Sequence, residues 1–151
     1  VDFSEGKIGD ALRFDEAQKT VAEAVDIFRA VAQKGSGIEP LFDKAKYIEK
    51  RYKEEQEKEE KKKIKGVARL FLVDLLKALA HIFRDMLAAA LDGTNYGAKY
   101  GIDETTIMPV RACALNAALK RIERAQRDLL MNANVPLLAT DLLFKLRKEV
   151  Q

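Results

Sequence analysis

The fold is decided by residues 110–149, VRACALNAALKRIERAQRDLLMNANVPLLATDLLFKLRKE. Apolar residues recur there at spacings of three and four, the period of one face of an α-helix. In the middle, Asn134 can cap a second helix and Pro136 can open it. The stretch therefore predicts two amphipathic helices with a tight connector, the first starting between Asp103 and Pro109 and ending near Met131. Their stripes are Val110, Ala114, Leu115, Ala118, Leu119, Ile122, Ala125, Gln126 and Leu129, then Leu137, Leu138, Leu142, Leu143 and Leu146.

The same period extends to the start of the chain. Ser4 can cap a short first helix, and Asp15 can cap a second one. The apolar residues of this second helix reach Ala32 and stop before Gly35-Ser36-Gly37, a combination typical of a helix end and a loop. Their pattern, Ala17, Val21, Ala24, Val25, Phe28, Val31 and Ala32, predicts one buried face.

The middle of the chain carries an unusual charged run. Pro40 follows Glu39, as expected at the first turn of a helix. Residues 41–91 form either one very long helix or two helices that meet near Gly66, since an isolated helix-interior Gly costs only about 1 kcal/mol. Residues 49–65 are almost wholly Glu, Lys and Arg, which predicts a solvated arm kept helical by pairs at i, i+4. The expected pairs are Glu54 with Lys58 and Glu57 with Lys61.

Composition agrees with a single all-α domain. The 151 residues contain only 8 Gly and 3 Pro, and 27 Lys and Arg against 24 Asp and Glu leave a net charge of +3. Few helix breakers, together with many good helix formers, predict a bundle of about five to seven helices over residues 1–151, with the arm at 49–65 within it. The longest run without charge, residues 129–140, is far shorter than the roughly 18 residues that span a bilayer.

Chemistry-bearing residues are scarce. One Cys and one His exclude a disulfide framework, a cysteine zinc site and the paired His and carboxylate ligands of di-iron bundles. We expect His81 on the rim of a packed helix and Cys113 as a small buried residue. The sequence predicts no catalytic residue, no cofactor and no metal ligand.

The four basic residues between positions 120 and 127 have two interpretations. Lys120, Arg124 and Arg127, flanked by Arg121, follow one another on one helix face, as in a phosphate-binding stripe, although nearby acidic residues favour an ordinary solvated face. A nucleic-acid-binding helical domain is therefore the alternative function.

Arg84 and Asp85 interrupt an apolar surface and are either a partly buried, paired structural element or an exposed pair. We predict an intramolecular salt bridge or helix–helix hydrogen bonds there.

Residues 92–102 form a loop that contains Gly93, Gly97 and Gly101 and that is flexible or contacts a partner through Tyr96 and Tyr100.

Four segments, in this order, resemble the C-terminal domain of the delta-prime subunits of bacterial DNA polymerase III clamp loaders. The resemblance covers nearly the whole chain and depends on the order and spacing of short motifs. The segments are Gly6-Lys7-Ile8-Gly9-Asp10-Ala11-Leu12, Phe83-Arg84-Asp85-Met86-Leu87, Ile122-Glu123-Arg124-Ala125, and Asn132-Ala133-Asn134 followed by Leu137 and Leu142-Leu143. Thr140 stands where the family usually has Glu.

The resemblance implies an all-helical collar domain that holds clamp-loader subunits side by side. It implies a non-catalytic oligomerisation function in DNA replication, gamma/tau-type and delta-type subunits as partners, a cytoplasmic location, no membrane contact, and nucleic acid contacted only through the complex. A chain that begins at Val1 without a signal-like segment is then expected to be a fragment of a longer protein. The interaction or structural candidates are Arg84, Asp85, Asn132, Asn134, Leu142 and Leu143.

Overall fold

The computed structural model describes residues 3–35, 37–93, 97–103, 109–131 and 133–151, with side chains from residue 15 onward. These residues form five α-helices and a short 3-10 turn, without a β-strand, so the predicted all-α bundle is confirmed. The helices are α1 (Phe3–Ala32), α2 (Glu39–Lys62), α3 (Leu70–Asp92), α4 (Ala112–Leu130) and α5 (Val135–Val150), and the 3-10 turn is Gly97–Tyr100.

The first helix is continuous, which corrects the prediction of two separate helices. Asp15 does not start a helix but lies exposed within α1. No Gly or Pro falls between residues 10 and 34, and an exposed Asp in a helix interior costs only a fraction of a kcal/mol. The predicted end is confirmed, because α1 stops at Ala32 and Gly35 takes a left-handed φ of +70°.

The last third of α1 is the centre of the bundle. From Ala24 to Ala32 only Asp26 and Arg29 are exposed, and Phe28 meets Phe83 edge-on with ring centroids 5.3 Å apart. Such burial around most of a helix requires neighbours on several sides, and α1 packs against α2, α3 and α5. Residues 15–19 and Val21 are exposed, so the predicted stripe on α1 is buried only in its second part.

The middle of the chain forms two helices, α2 and α3, rather than one. Lys63 ends α2 in the left-handed conformation with a φ of +53°, and Gly66 follows at +84°. The Ile64 N–H donates to the Glu59 carbonyl (3.2 Å), and the Glu59 carboxylate accepts the Val67 N–H (2.9 Å). The Lys63 N–H also donates to the Glu60 carbonyl (3.3 Å), and this bond and the Ile64 bond are those of a Schellman-type helix end. Ile64 and Val67 therefore lie in the connector and are exposed.

The charged arm is helical through Lys62, and no residue from 53 to 62 is buried. The buried residues of α2 are Leu41, Ala45 and Ile48, all in its first half. Residues 53–62 thus form a solvated helical stretch without a core face, as predicted, but the rest of the predicted arm differs. Arg51 and Tyr52 are partly buried, and residues 63–65 lie beyond the helix. The ion pairs along the arm also differ from those predicted. Within the described arm the ion pairs are Glu49 with Lys53 (3.2 Å) and Glu55 with Lys58 (3.4 Å), and neither Glu54 with Lys58 nor Glu57 with Lys61 is formed.

The two helices of the deciding stretch are α4 and α5. The first begins at Ala112 rather than near Asp103, and Thr106 lies outside the described residues. The Asn134 side chain accepts the Leu137 N–H (3.0 Å), and Pro136 lies in the first turn of α5, as predicted. Leu137 itself is 69% exposed, because it points about 140° around the helix from Leu142.

One hydrophobic core joins all five helices. Its largest fully buried side chains include Phe28, Leu41, Phe83, Ile122 and Leu146, one from each helix. None of the helices in the described part of the chain combines the length and the apolar run needed to cross a bilayer.

Candidate functional site

Arg84 and Asp85 extend from α3 to different partners. The Tyr100 hydroxyl and the Lys99 ammonium (3.5 Å) both donate to one oxygen of Asp85, whose side chain is 29% exposed. Burial, and then the Asp85 carboxylate, raise the pKa of the Tyr100 hydroxyl. Arg84 is half exposed and reaches Glu123 of α4 at 3.7 Å. The two charges therefore link α3 to the 3-10 turn and to α4, rather than forming one buried pair.

The motif at the start of α5 is part of the bundle. Asn134 caps the helix, and Leu142 and Leu143 are 5% and 2% exposed in the core. Asn132 lies outside the described residues. Asn134 thus determines where α5 begins, and Leu142 and Leu143 lie on its buried face, whereas Leu137 is exposed.

The four basic side chains of α4 differ in their contacts. The Arg121 guanidinium pairs with Glu149 of α5 at 3.2 Å. Lys120, Arg124 and Arg127 are exposed, so three cations remain available on one face. Glu123 beside them pairs with Arg84 and lowers the net charge of that surface.

The single His and the single Cys lie on different helices, α3 and α4. His81 is exposed on α3, as expected, whereas Cys113 is exposed and not buried as predicted. The physical reason is that Cys113 lies about 200° around α4 from the buried Leu115. Within the described residues, no group of three or more His, Cys, Asp and Glu side chains is placed to hold a metal ion.

A cluster around Glu23, which the sequence did not reveal, joins three helices. One nitrogen of Arg51 lies 2.6 and 2.5 Å from the two Glu23 carboxylate oxygens, and the Tyr47 hydroxyl donates to one of them at 2.8 Å. The guanidinium also stacks on Phe71, 5.0 Å from the ring centroid. Burial raises the pKa of Tyr47, with a further contribution from Glu23. Burial lowers the pKa of Arg51, but Glu23 and Tyr47 together more than offset this, so the net shift is upward.

Arg147 is a second residue that the sequence did not reveal. It is 7% exposed and donates from Nη1 to the Val31 carbonyl at 2.7 Å and towards the Gln33 carbonyl at 3.5 Å. It thus places a cation at the C-terminal end of α1, where helix carbonyls lack intrahelical partners. The available signal was its position on the buried face of α5, between Leu143 and Val150.

Arg69 joins the two connectors at one end of the bundle. Its Nη1 donates to the carbonyl oxygens of Leu129 (3.3 Å) and Ala133 (2.9 Å). The start of α3 is therefore held against the end of α4 and the first residues of the α4–α5 connector.

An exposed aromatic surface lies where α2 packs on α5. Phe42 is 45% exposed and meets Phe144 edge-on at 5.1 Å, and Ile38, one turn earlier, is 53% exposed. We call Ile38, Phe42 and Phe144 the α2–α5 face. The buried residues of α2 include Leu41 and Ala45, so an apolar Phe42 beside them was the available signal for a second apolar face.

An open groove of about 550 Å³ separates α1 from the 3-10 turn. Its walls include Val21, Val25, Arg29 and Tyr100. Arg29 donates to the Gly101 carbonyl (2.7 Å), and Tyr100 is engaged by Asp85, so both polar groups already have partners within the chain. Tyr96, the other tyrosine predicted as a partner contact, lies outside the described residues.

Comparison with known proteins gives no relative: no protein-family model, no curated protein and no solved structure matches the chain.

Proposed function

We propose that the chain is a non-catalytic oligomerisation domain that packs through its helices against other subunits of a DNA replication clamp loader. In this proposal it is the collar domain of a delta-prime-type subunit, and its partners are gamma/tau-type and delta-type subunits. The order of the four sequence motifs supports the family. The exposed α2–α5 face carries the argument for assembly.

Several of the described motif residues have contacts inside the bundle, although Leu137 is exposed. Asp85 is bonded to Tyr100, Arg84 pairs with Glu123, and Asn134 caps α5. Residues used in this way maintain a fold and leave the contact with other subunits to a different surface. That surface must be exposed and apolar, because the centres of stable interfaces are depleted in charge and enriched in aromatic side chains.

The α2–α5 face meets these requirements. Phe42 keeps about half of its surface in water, although fully burying a Phe is worth roughly 1.5–3 kcal/mol. Covering this side chain with a partner helix would therefore gain about 1 kcal/mol from one residue, before Ile38 and the exposed part of Phe144 are counted. A helical side face is also suited to side-by-side packing of helical domains.

The test is to mix the chain with the C-terminal domains of gamma/tau-type and delta-type subunits and to measure mass by size-exclusion chromatography with light scattering. We expect a complex that Phe42→Ser weakens and that Leu91→Ser, an exposed control at the end of α3, leaves intact. If no combination of partners shifts the elution of the wild-type chain, the proposal is wrong.

The alternative is direct nucleic-acid binding by α4. The exposure of Lys120, Arg124 and Arg127 favours it. In that case fluorescence anisotropy would show binding to labelled DNA with a steep salt dependence, lost on Arg124→Glu. Absent or salt-insensitive binding excludes this alternative.

A further inference from the structure

One end of the bundle combines exposed aliphatic side chains with a concentration of positive charge. Arg69 holds its two connectors together. The first residues of α5 belong to the same end, since Leu138 and Ala139 line a small core cavity together with Leu72 and Leu75 of α3. We call this surface the basic–apolar end. Its apolar members are Ile64, Val67, Leu70, Leu130, Met131 and Leu137.

These aliphatic side chains are unusually accessible for their size. Leu130 and Met131 are 77% and 80% exposed, and Leu70 is 53% exposed. Single exposed aliphatic residues are common on proteins, but several together, rimmed by polar residues, mark an interaction site. Met131 adds an adaptable side chain that can pack against partners of different shapes.

The charge around these side chains has one predominant sign. Residues 59–70 and 124–137 contain seven Lys and Arg against three Asp and Glu, whereas the whole chain has only a net charge of +3. One of the three acids, Glu59, is bonded to the Val67 N–H. Lys63 occupies the left-handed position at the end of α2, where Gly would adopt the same conformation with less strain, so a basic side chain is present at this position.

We propose that the basic–apolar end binds an acidic segment of a partner protein, with apolar side chains on the face that contacts Leu130 and Met131. Complementary charge selects the acidic character. The aliphatic side chains select an apolar contact face, as in helix-in-groove recognition. Neither of the two residue ranges contains Phe, Tyr or Trp, so these ranges provide no aromatic platform on which nucleic-acid bases could stack. The inference is independent of the clamp-loader proposal, because it depends only on this surface.

The test begins with a phage-displayed peptide library in which aliphatic residues occupy every third or fourth position and acidic or basic residues are randomised between them. The bait is the wild-type chain. We expect the selected peptides to be predominantly acidic. The most enriched peptide, labelled with fluorescein, is then titrated with each protein variant.

We expect Leu130→Ser combined with Met131→Ser, and separately Lys62→Glu combined with Lys65→Glu, to weaken peptide binding by at least about tenfold. The matched controls, Leu91→Ser and Lys77→Glu, change exposed residues of α3 outside this surface and should leave affinity unchanged. Circular dichroism melting verifies that every variant is folded.

Three results would overturn the proposal: no enrichment of acidic peptides, binding that survives both double variants, or competition by other ligands. For the last, single-stranded DNA and phosphatidylserine vesicles are added as competitors. If either binds the wild-type chain more tightly than the peptide and loses binding in the same variants, the surface recognises nucleic acid or a membrane instead.

Discussion

Replacing Arg147 with Met tests the most deeply buried charged side chain in the described part of the chain. Arg147 is 7% exposed, and its Nη1 donates to the Val31 carbonyl at 2.7 Å. Met has a similar length and no polar atom that can donate, so the substitution removes the hydrogen bond while it largely conserves volume. The perturbation therefore isolates the contact between α5 and the end of α1.

The expected loss follows from two contributions and one opposing term. A hydrogen bond from a charged donor contributes about 1.5–3 kcal/mol, and the bond to Gln33 at 3.5 Å is too long to add much. A cation at a helix C-terminus adds roughly 0.3–1 kcal/mol. Releasing the guanidinium from burial favours Met and offsets part of this. We expect a net loss of about 2 kcal/mol in the free energy of unfolding, or roughly 4–8 °C in Tm for a chain of this length.

The assay is urea unfolding followed by circular dichroism at 222 nm, on the wild type and on Arg147→Met. Lys148→Met is the matched control, because Lys148 is the next residue on α5 and is exposed. We expect the control to change the unfolding free energy by less than about 0.5 kcal/mol. If Arg147→Met is as stable as the wild type, burial of the guanidinium costs as much as its hydrogen bonds contribute, and the assignment of Arg147 as a stabilising contact is wrong.

Three further predictions concern single contacts. Tyr100→Phe removes the hydrogen bond to Asp85 and should lower the free energy of unfolding by about 1 kcal/mol at pH 7. Because the folded-state pKa of Tyr100 is raised above its ordinary value of 10.0, the contribution of this side chain to the free energy of unfolding is complete below pH 10 and declines as pH rises beyond it. In urea unfolding at a series of pH values, the unfolding free energy of Tyr100→Phe should therefore decline less above pH 10 than that of the wild type. Equal dependence on pH in the two proteins would contradict this. Asn134→Ala should lower the free energy of unfolding by about 1 kcal/mol, because it removes the cap of α5. Asn116 is exposed within α4, so Asn116→Ala should leave the stability unchanged, and equal Tm values for the two variants would argue against the cap. Lys63→Gly should raise the free energy of unfolding by roughly 0.5–1 kcal/mol, because relief of the left-handed conformation exceeds the added entropy of Gly in the unfolded chain. A lower Tm for this variant would show that Lys63 is not strained.

The sequence predicted best those features that depend on neighbouring residues. Asn134 and Pro136 placed the start of α5 correctly, because capping and proline geometry act within one turn. Asp15 misled for the same reason: a good cap residue is also tolerated inside a helix, and only the surrounding structure decides between the two. The choice between one helix and two around Gly66 likewise needed the conformation of Lys63, which no local signal indicated.

The candidate surfaces were harder to predict, because they depend on how distant helices cross. Glu23 and Arg51 are 28 residues apart and Arg147 and Val31 are 116 apart, so no spacing rule connects them. Whether an apolar residue such as Phe42 or Leu137 is buried depends on which side of its helix a neighbour occupies. The periodicity identified the apolar residues of these helices but not the ones left in contact with water.

The uneven burial of α2 has a consequence for hydrogen exchange. Its buried residues end at Ile48, so the first half of α2 can lose its amide protection only when the core opens. Beyond residue 52, protection depends on the helix–coil equilibrium, the hydrogen bond that the Val67 N–H donates to the Glu59 carboxylate, and a few surface ion pairs. One continuous helix should therefore show two classes of exchange rate, separated near Tyr52. The charged half can fray and re-form, and can adapt to a charged neighbour, without loss of the packed bundle.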